Sequence, residues 1–130
     1  MEKVLIIVRG LPGSGKTTFA KMLGKAICCA DDYLVTIDGN YEWAGSKLRK
    51  AHNWCYRKCE LFMKKDISPV IVANTLPKEK DLKEYFNLAE LYGYVVFTIV
   101  MENRHGGKNV HEVPDENIEK MKKSFNIKLI

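Results

Sequence analysis

The residues that can do chemistry begin with Gly10-Leu11-Pro12-Gly13-Ser14-Gly15-Lys16-Thr17-Thr18. The pattern G-x-x-x-x-G-K-T is complete, and such a loop cradles phosphate. Gly10, Gly13 and Gly15 let backbone N–H groups approach an anion with no Cβ in the way. A helix opening at the loop adds its own N-terminal N–H groups and dipole. Lys16 can reach the β- and γ-phosphates, and the Thr17 hydroxyl can ligate Mg²⁺. The stretch from Leu11 to Thr18 therefore forms a candidate site for ATP or another NTP: Leu11, Pro12, Gly13, Ser14, Gly15, Lys16, Thr17 and Thr18. An accidental Gly-rich turn would match the four fixed positions only about 10⁻⁵ to 10⁻⁴ of the time per starting point.

Nucleotide binding is not yet a reaction. The discriminating pair is Asp31-Asp32, placed behind the apolar run Ile27-Cys28-Cys29-Ala30. A kinase needs a carboxylate near the γ-phosphate to accept the proton of the attacking hydroxyl. The carboxyl end of a strand next to the loop is a suitable place for it. An Asx turn or a helix cap is the competing duty of an Asp there. No Walker B aspartate follows Val70-Ile71-Val72, which continues as Ala73-Asn74. Mg²⁺ then rests on Thr17, phosphates and water, with Asp31 or Asp32 behind the water.

A second polar constellation, Glu102-Asn103-Arg104-His105-Gly106-Gly107-Lys108-Asn109-Val110-His111, reads as a mobile flap. A mobile cation can stabilise the charge that spreads over a transferring phosphoryl group. Arg104, one of four arginines, and Lys108, beyond two hinge-like glycines, are the candidates. His105 and His111 can touch substrate, although an exposed loop histidine usually has no role.

The elements that must position these groups follow from periodicity. Val4–Val8 reads as a buried parallel strand and the stretch behind the loop, Phe19–Ile27, as a helix. Ile27–Ala30 is a short second strand with Cys28 and Cys29 on opposite faces. Ser46 caps a helix running to about Lys65, with Leu48, His52, Cys55, Cys59 and Phe62 as its apolar stripe. His52, Cys55 and Cys59 could pass for metal ligands, but the stripe reads as core. Lys47, Lys50, Trp54, Arg57, Lys58 and Lys65 cluster on another face, either solvated or in contact with nucleic acid. Pro69–Ala73 is a third strand, and Pro77 opens a helix carrying Leu82, Tyr85, Phe86, Ala89 and Tyr92 inward to Gly93. Tyr94–Met101 is a fourth strand. Pro114 opens a last helix with Ile118, Met121 and Phe125 on its core side. The order predicts an α/β fold, a three-layer P-loop NTPase of kinase type with a mostly parallel sheet of about four strands and a C-terminal lid segment.

The 130 residues suit a single domain over residues 1–130, with 46% apolar and 28% charged residues. No run of about 20 apolar residues exists, so a membrane-spanning helix is excluded. The absence of a signal-peptide pattern and four cysteines in a P-loop chain imply a reducing cytoplasm. The net charge of +5 suits a phosphate-rich partner without requiring one.

The motifs together resemble the polynucleotide 5′-kinase family of P-loop phosphotransferases, in its small stand-alone, AAA-type ATP-binding branch. The matching residues are Gly10–Thr18, Ala30-Asp31-Asp32-Tyr33, Gly39-Asn40-Tyr41, Ala51-His52-Asn53-Trp54, Ser68–Val72, Asn74-Thr75 and Val110–Pro114. The resemblance implies transfer of the ATP γ-phosphate to the 5′-hydroxyl of RNA or DNA, as in nucleic acid repair. It implies Asp31 as general base, Lys16 and the lid residue Arg104 as catalytic cations, and Lys108 as a partial substitute. Asp32 joins Thr17 as the expected metal residue. Leu34 stands where phage-type relatives carry an arginine for the acceptor phosphate, and Ala73 where many carry an aspartate. A kinase for a nucleoside or other small alcohol, or an NTP-binding module without turnover, are the alternatives.

Overall fold

The structure is a computed structural model that describes residues 2–35, 45–109 and 113–130. The loop around Gly39, Asn40, Tyr41 and Trp43, and Val110, His111 and Glu112, lie outside the described residues. The elements are β1 (Lys3–Arg9), α1 (Lys16–Leu23), β2 (Ala26–Cys28), α2 (Leu48–Lys64), β3 (Val70–Asn74), α3 (Glu79–Tyr92), β4 (Tyr94–Val100) and α4 (Asp115–Ser124). Two 3₁₀ turns, Ala30–Leu34 and Gly45–Lys47, precede α2.

The four strands form one parallel sheet in the order β2-β3-β1-β4. The α/β fold and its parallel sheet are as the periodicity predicts. Side chains alternate across the sheet, so β1, β2 and β3 feed two cores, while β4 feeds only one. Leu5, Ile7, Val70 and Val72 pack with Cys28, Ala51, Cys55, Cys59, Leu82, Tyr85 and Leu88 on the α2–α3 side. Val8, Ile71 and Ala73 pack with Ala20, Phe19 and Leu23 on the α1 side. The strands are therefore near-continuous apolar runs, as a sheet covered on both faces requires. β4 is an edge strand, and its Phe97 is 56% exposed.

Several local readings are corrected. α1 ends at Leu23, and its C-cap Gly24 turns to extended backbone at a point where a Cβ would crowd Ile71 and Pro69. β2 ends at Cys28, and Cys29 is buried at the entry of the first 3₁₀ turn. α2 buries Ala51, Cys55, Cys59 and Met63, while His52 is exposed and turns toward the cleft described below. In α3 Leu88 takes the core place and Phe86 is partly exposed. Gly93 ends α3 at φ +74°, donating to the carbonyls of Ala89 and Glu90. α4 has no buried residue. Among the described residues no helix is long and apolar enough to cross a membrane.

Arg9 closes β1 and is 2% exposed. Its Nε donates to the Leu76 carbonyl at 2.9 Å, and one terminal nitrogen donates to the carbonyls of Pro77 at 3.2 Å and Asn126 at 2.7 Å. Phe125 lies under the guanidinium at 4.9 Å. Asn126 adds a hydrogen bond from its backbone N–H to Pro77 and accepts one from Glu79. Arg9 thus holds the C-terminal segment against the β3–α3 connection, and it is not a surface cation beside the phosphate loop.

Candidate functional site

The phosphate-binding loop joins β1 to α1. Gly13 (φ +86°) and Gly15 (φ +89°) occupy the left-handed region, where a side chain is strained. The Ser14 N–H closes a turn on the Leu11 carbonyl at 3.0 Å. The Ser14 hydroxyl is buried without a hydrogen-bond partner among the described residues. A buried hydroxyl left over in a ring of N–H groups fits a loop built for phosphate oxygens.

A cleft of about 650 Å³ opens at the carboxyl end of the sheet. Pro12, Gly13, Gly15, Lys16, Thr17 and Thr18 line one wall, with Ala30 and Asp31 beside them. The far wall comes from α2 and α3, through Leu48, His52, Asn53, Lys80, Asp81, Glu84 and Tyr85. His105, Gly107 and Lys108 form the roof.

Lys16 is 9% exposed, and its ammonium donates to the Leu11 carbonyl at 3.0 Å. Burial pulls its pKa below the ordinary lysine value, and Asp31, then Cys29, oppose that shift. Asp31 is therefore within electrostatic reach of the loop lysine. Its position is set from below. The Ala30 N–H donates to Asn74 Oδ1 at 2.8 Å, and Asn74 Nδ2 donates to Cys55 Sγ at 3.3 Å. Tyr85 also donates to Cys55 Sγ, at 3.5 Å. A buried bracket from β3 thus fixes the turn that presents Asp31.

Asp32, next in sequence, is exposed and does not line the cleft, and its carbonyl accepts from Val35. Arg104 is 83% exposed at its side chain and pairs with Glu102 at 2.9 Å. Of the two expected lid cations, only Lys108 lines the cleft. The lid backbone rests on the loop itself. Gly107 meets the Gly13 carbonyl, Gly13 meets Lys108 and Asn109, and the His105 ring lies over Gly15. Asn103 braces this segment by exchanging two 2.7 Å hydrogen bonds with Gly107.

His52 is the functional candidate that periodicity misplaces. Desolvation lowers its pKa, while Asp31, Asp81 and Glu84 raise it in part. It stands in the cleft among the acids, not among the thiols. Those thiols remain core groups. All four cysteines are free and buried. Burial pushes Cys29 up to about 12 and Cys55 up to about 11. No group of three metal-binding side chains occurs among the described residues. Of the two expected Mg²⁺ residues, Thr17 lines the cleft beside Lys16 and Asp32 does not.

The chain is similar to known proteins in sequence and in fold. Residues 5–127 match a family described as an AAA domain. Human NEDD4-binding protein 2 is 32% identical over 130 aligned residues, which cover 91% of this chain and 7% of that protein. The chain thus spans a small part of that relative. A chain of the Pnkp1/Rnl/Hen1 RNA repair complex superposes with a TM-score of 0.67 at 18% identity, covering 95% of this chain and 44% of that one. A sugar kinase from a Janibacter species superposes with a TM-score of 0.63 at 15% identity, covering 98% and 80%. These likenesses are of fold: an α/β fold with a four-stranded parallel sheet, as in P-loop kinase structures.

Proposed function

We propose a phosphoryl transfer from one premise: the chain belongs to the AAA domain family. Within it, the chain is an ATP-dependent kinase acting on the 5′-hydroxyl end of RNA or DNA. The observation that carries the reading is Asp31 in the same cleft as Lys16, held there by the Asn74 bracket. A nucleotide-binding module without turnover has no need of a carboxylate fixed there.

The steps follow from these placements. The hydroxyl oxygen attacks the γ-phosphorus while Asp31 accepts its proton. The bond from the γ-phosphorus to the β–γ bridging oxygen breaks, and its electron pair leaves with ADP. Lys16 exchanges the Leu11 carbonyl for phosphate oxygens and offsets their charge. Lys108 adds a second cation from the roof, and Arg104 joins only if the lid turns it inward from Glu102. Thr17 would hold Mg²⁺, with Asp32 acting only through water. The metal supplies charge neutralisation at the phosphates. The whole chain is taken as one domain. Similarity to a chain of an RNA repair complex supports the polynucleotide acceptor.

A small uncharged alcohol is the second reading. Leu34 lines the cleft where a cation for an acceptor phosphate is expected, and Asp81 and Glu84 stand on the α3 wall beside a single lysine, Lys80. Transfer of labelled γ-phosphate to a 5′-hydroxyl oligonucleotide, a nucleoside and no acceptor separates the readings. Labelled oligonucleotide alone supports the first, labelled nucleoside alone the second, and no transfer to either overturns both.

A further inference from the structure

Asp31 opens a short path to the protein surface that the cleft chemistry does not use. Two residues on in the same 3₁₀ turn, the Tyr33 ring is 39% exposed. It rests on Trp54 of α2, with ring centres 5.9 Å apart and planes at 46°. Lys58 lies over the Trp54 ring at 5.2 Å. The three form a column of contacts rooted on α2, and its exposed Tyr33 end follows the proposed base by two residues in sequence. Trp54 is partly buried against the larger core, so the column is rigid at its foot.

The charges around the column are uneven. At 100° per residue, Lys50, Trp54, Arg57 and Lys58 share one side of α2, with Lys47 just before its first turn, and of these Lys58 borders the buried Ala51. Lys47, Lys50 and Arg57 are exposed. The α3 wall offers the cleft two acids, Asp81 and Glu84, against one cation, Lys80. A polyanion that places its end at Asp31 is thus drawn out along α2 and repelled from α3. An aromatic face beside a line of cations is how single strands are held without sequence readout.

We propose that Tyr33, backed by Trp54 and Lys58, is the platform on which the 5′-terminal base of a single-stranded polynucleotide stacks, with Lys50 and Arg57 taking the phosphates that follow. This rests on the polynucleotide reading above. It adds a binding surface outside the nucleotide cleft, and its occupant is single-stranded RNA or DNA.

The test reads binding without ATP, so catalysis is not needed. A single-stranded oligonucleotide with a free 5′-hydroxyl and a 3′ fluorophore is titrated and followed by anisotropy. A second probe lacks only the 5′-terminal base. Wild type should bind the complete probe about tenfold or more tightly than the abasic one, the scale of one base–aromatic stack. Tyr33→Ala should bind the complete probe as weakly as wild type binds the abasic one, and should not distinguish the two. Tyr33→Phe should restore the difference, and ATP affinity in each variant should stay within about twofold. Lys50→Gln with Arg57→Gln should leave the base effect intact. That double variant should flatten the log–log salt dependence by about 1.4, the slope expected for two phosphate contacts on a single strand. Tight binding of both probes alike by wild type overturns the platform and leaves the acceptor reading standing. A Tyr33→Ala protein that still distinguishes the probes overturns it in the same way. No binding of either probe overturns the platform together with the polynucleotide acceptor.

Discussion

Replacing Arg9 with methionine removes a guanidinium that no solvent replaces. Three carbonyls, those of Leu76, Pro77 and Asn126, lose a charged donor at 2.9, 3.2 and 2.7 Å. Hydrogen bonds to a charged group contribute about 1.5–3 kcal/mol each when buried. Only the Leu76 bond is fully buried, so the other two count near the lower end. The contact with Phe125 adds about 0.5–1 kcal/mol. The methionine stem recovers part of the apolar packing. A net loss of about 3–5 kcal/mol is expected, and for a domain of this size roughly 4 °C in Tm accompanies each kcal/mol. Calorimetry or thermal circular dichroism should therefore show a fall of about 12–20 °C. Arg9→Lys keeps the charge but loses the planar fork, and should fall in between. A Tm within about 3 °C of wild type in Arg9→Met would refute the staple.

Lys16→Ala should abolish γ-phosphate transfer with the fold intact by circular dichroism, because it removes the cation of a water-poor site. Retention of more than a few per cent of wild-type activity would contradict it. Asp31→Asn should lose rate at unchanged ATP affinity, with Asp32→Asn milder. In Asp31→Asn the His52 pKa should move further down by NMR titration, since Asp31 is the largest influence holding it up. The buried thiols make stability fall on the alkaline side. Cys29 and Cys55 ionise near 9 when unfolded but only at about 12 and about 11 when folded. The folded state holds those protons longer, so their stabilising effect is complete below pH 9 and lost as pH rises toward 12. Urea midpoints compared at pH 8 and pH 10.5 should fall, and less so in a Cys29→Ala protein. Backbone amides of residues 102–109 should change hydrogen-exchange protection when an ATP analogue binds, because that segment rests on Gly13 and Gly15. Identical exchange would place the phosphates elsewhere.

What the sequence made legible divides by range. The phosphate loop is local, and its glycines, lysine and threonines stand where the pattern puts them. The four parallel strands follow from apolar runs, which in β1 and β3 are too continuous for half-exposed strands. His52 was lost because helical periodicity sees one apolar stripe. It cannot see that the stripe's edge, where His52 follows Leu48 by one turn, borders a cleft instead of a core. Arg9 looks like a site cation because it precedes Gly10. Only the return of Phe125 and Asn126 from the far end of the chain reveals its partners. The exchange of Phe86 for Leu88 is of the same kind, since both lie near the edge of the buried face of α3. Arg104 illustrates the opposite case. Its type suits the chemistry, but two positions back Glu102 offers a nearer partner.

The central place of β1 sets the order in which this chain can become a protein. β1 is made first, yet it pairs Leu5 with Val70 and Lys3 with Tyr94. During synthesis at about 5–20 residues per second, its apolar residues wait roughly 3–13 s for the first partner strand. The phosphate loop hangs from the end of that waiting strand and has no fixed floor until β3 arrives. Contacts this distant in sequence make closure slow compared with helix formation. ATP therefore cannot serve as an early template for folding. It can reward only a chain already made past Asn74, and the interval before that is when Val4 to Val8 are open to chaperones and to one another.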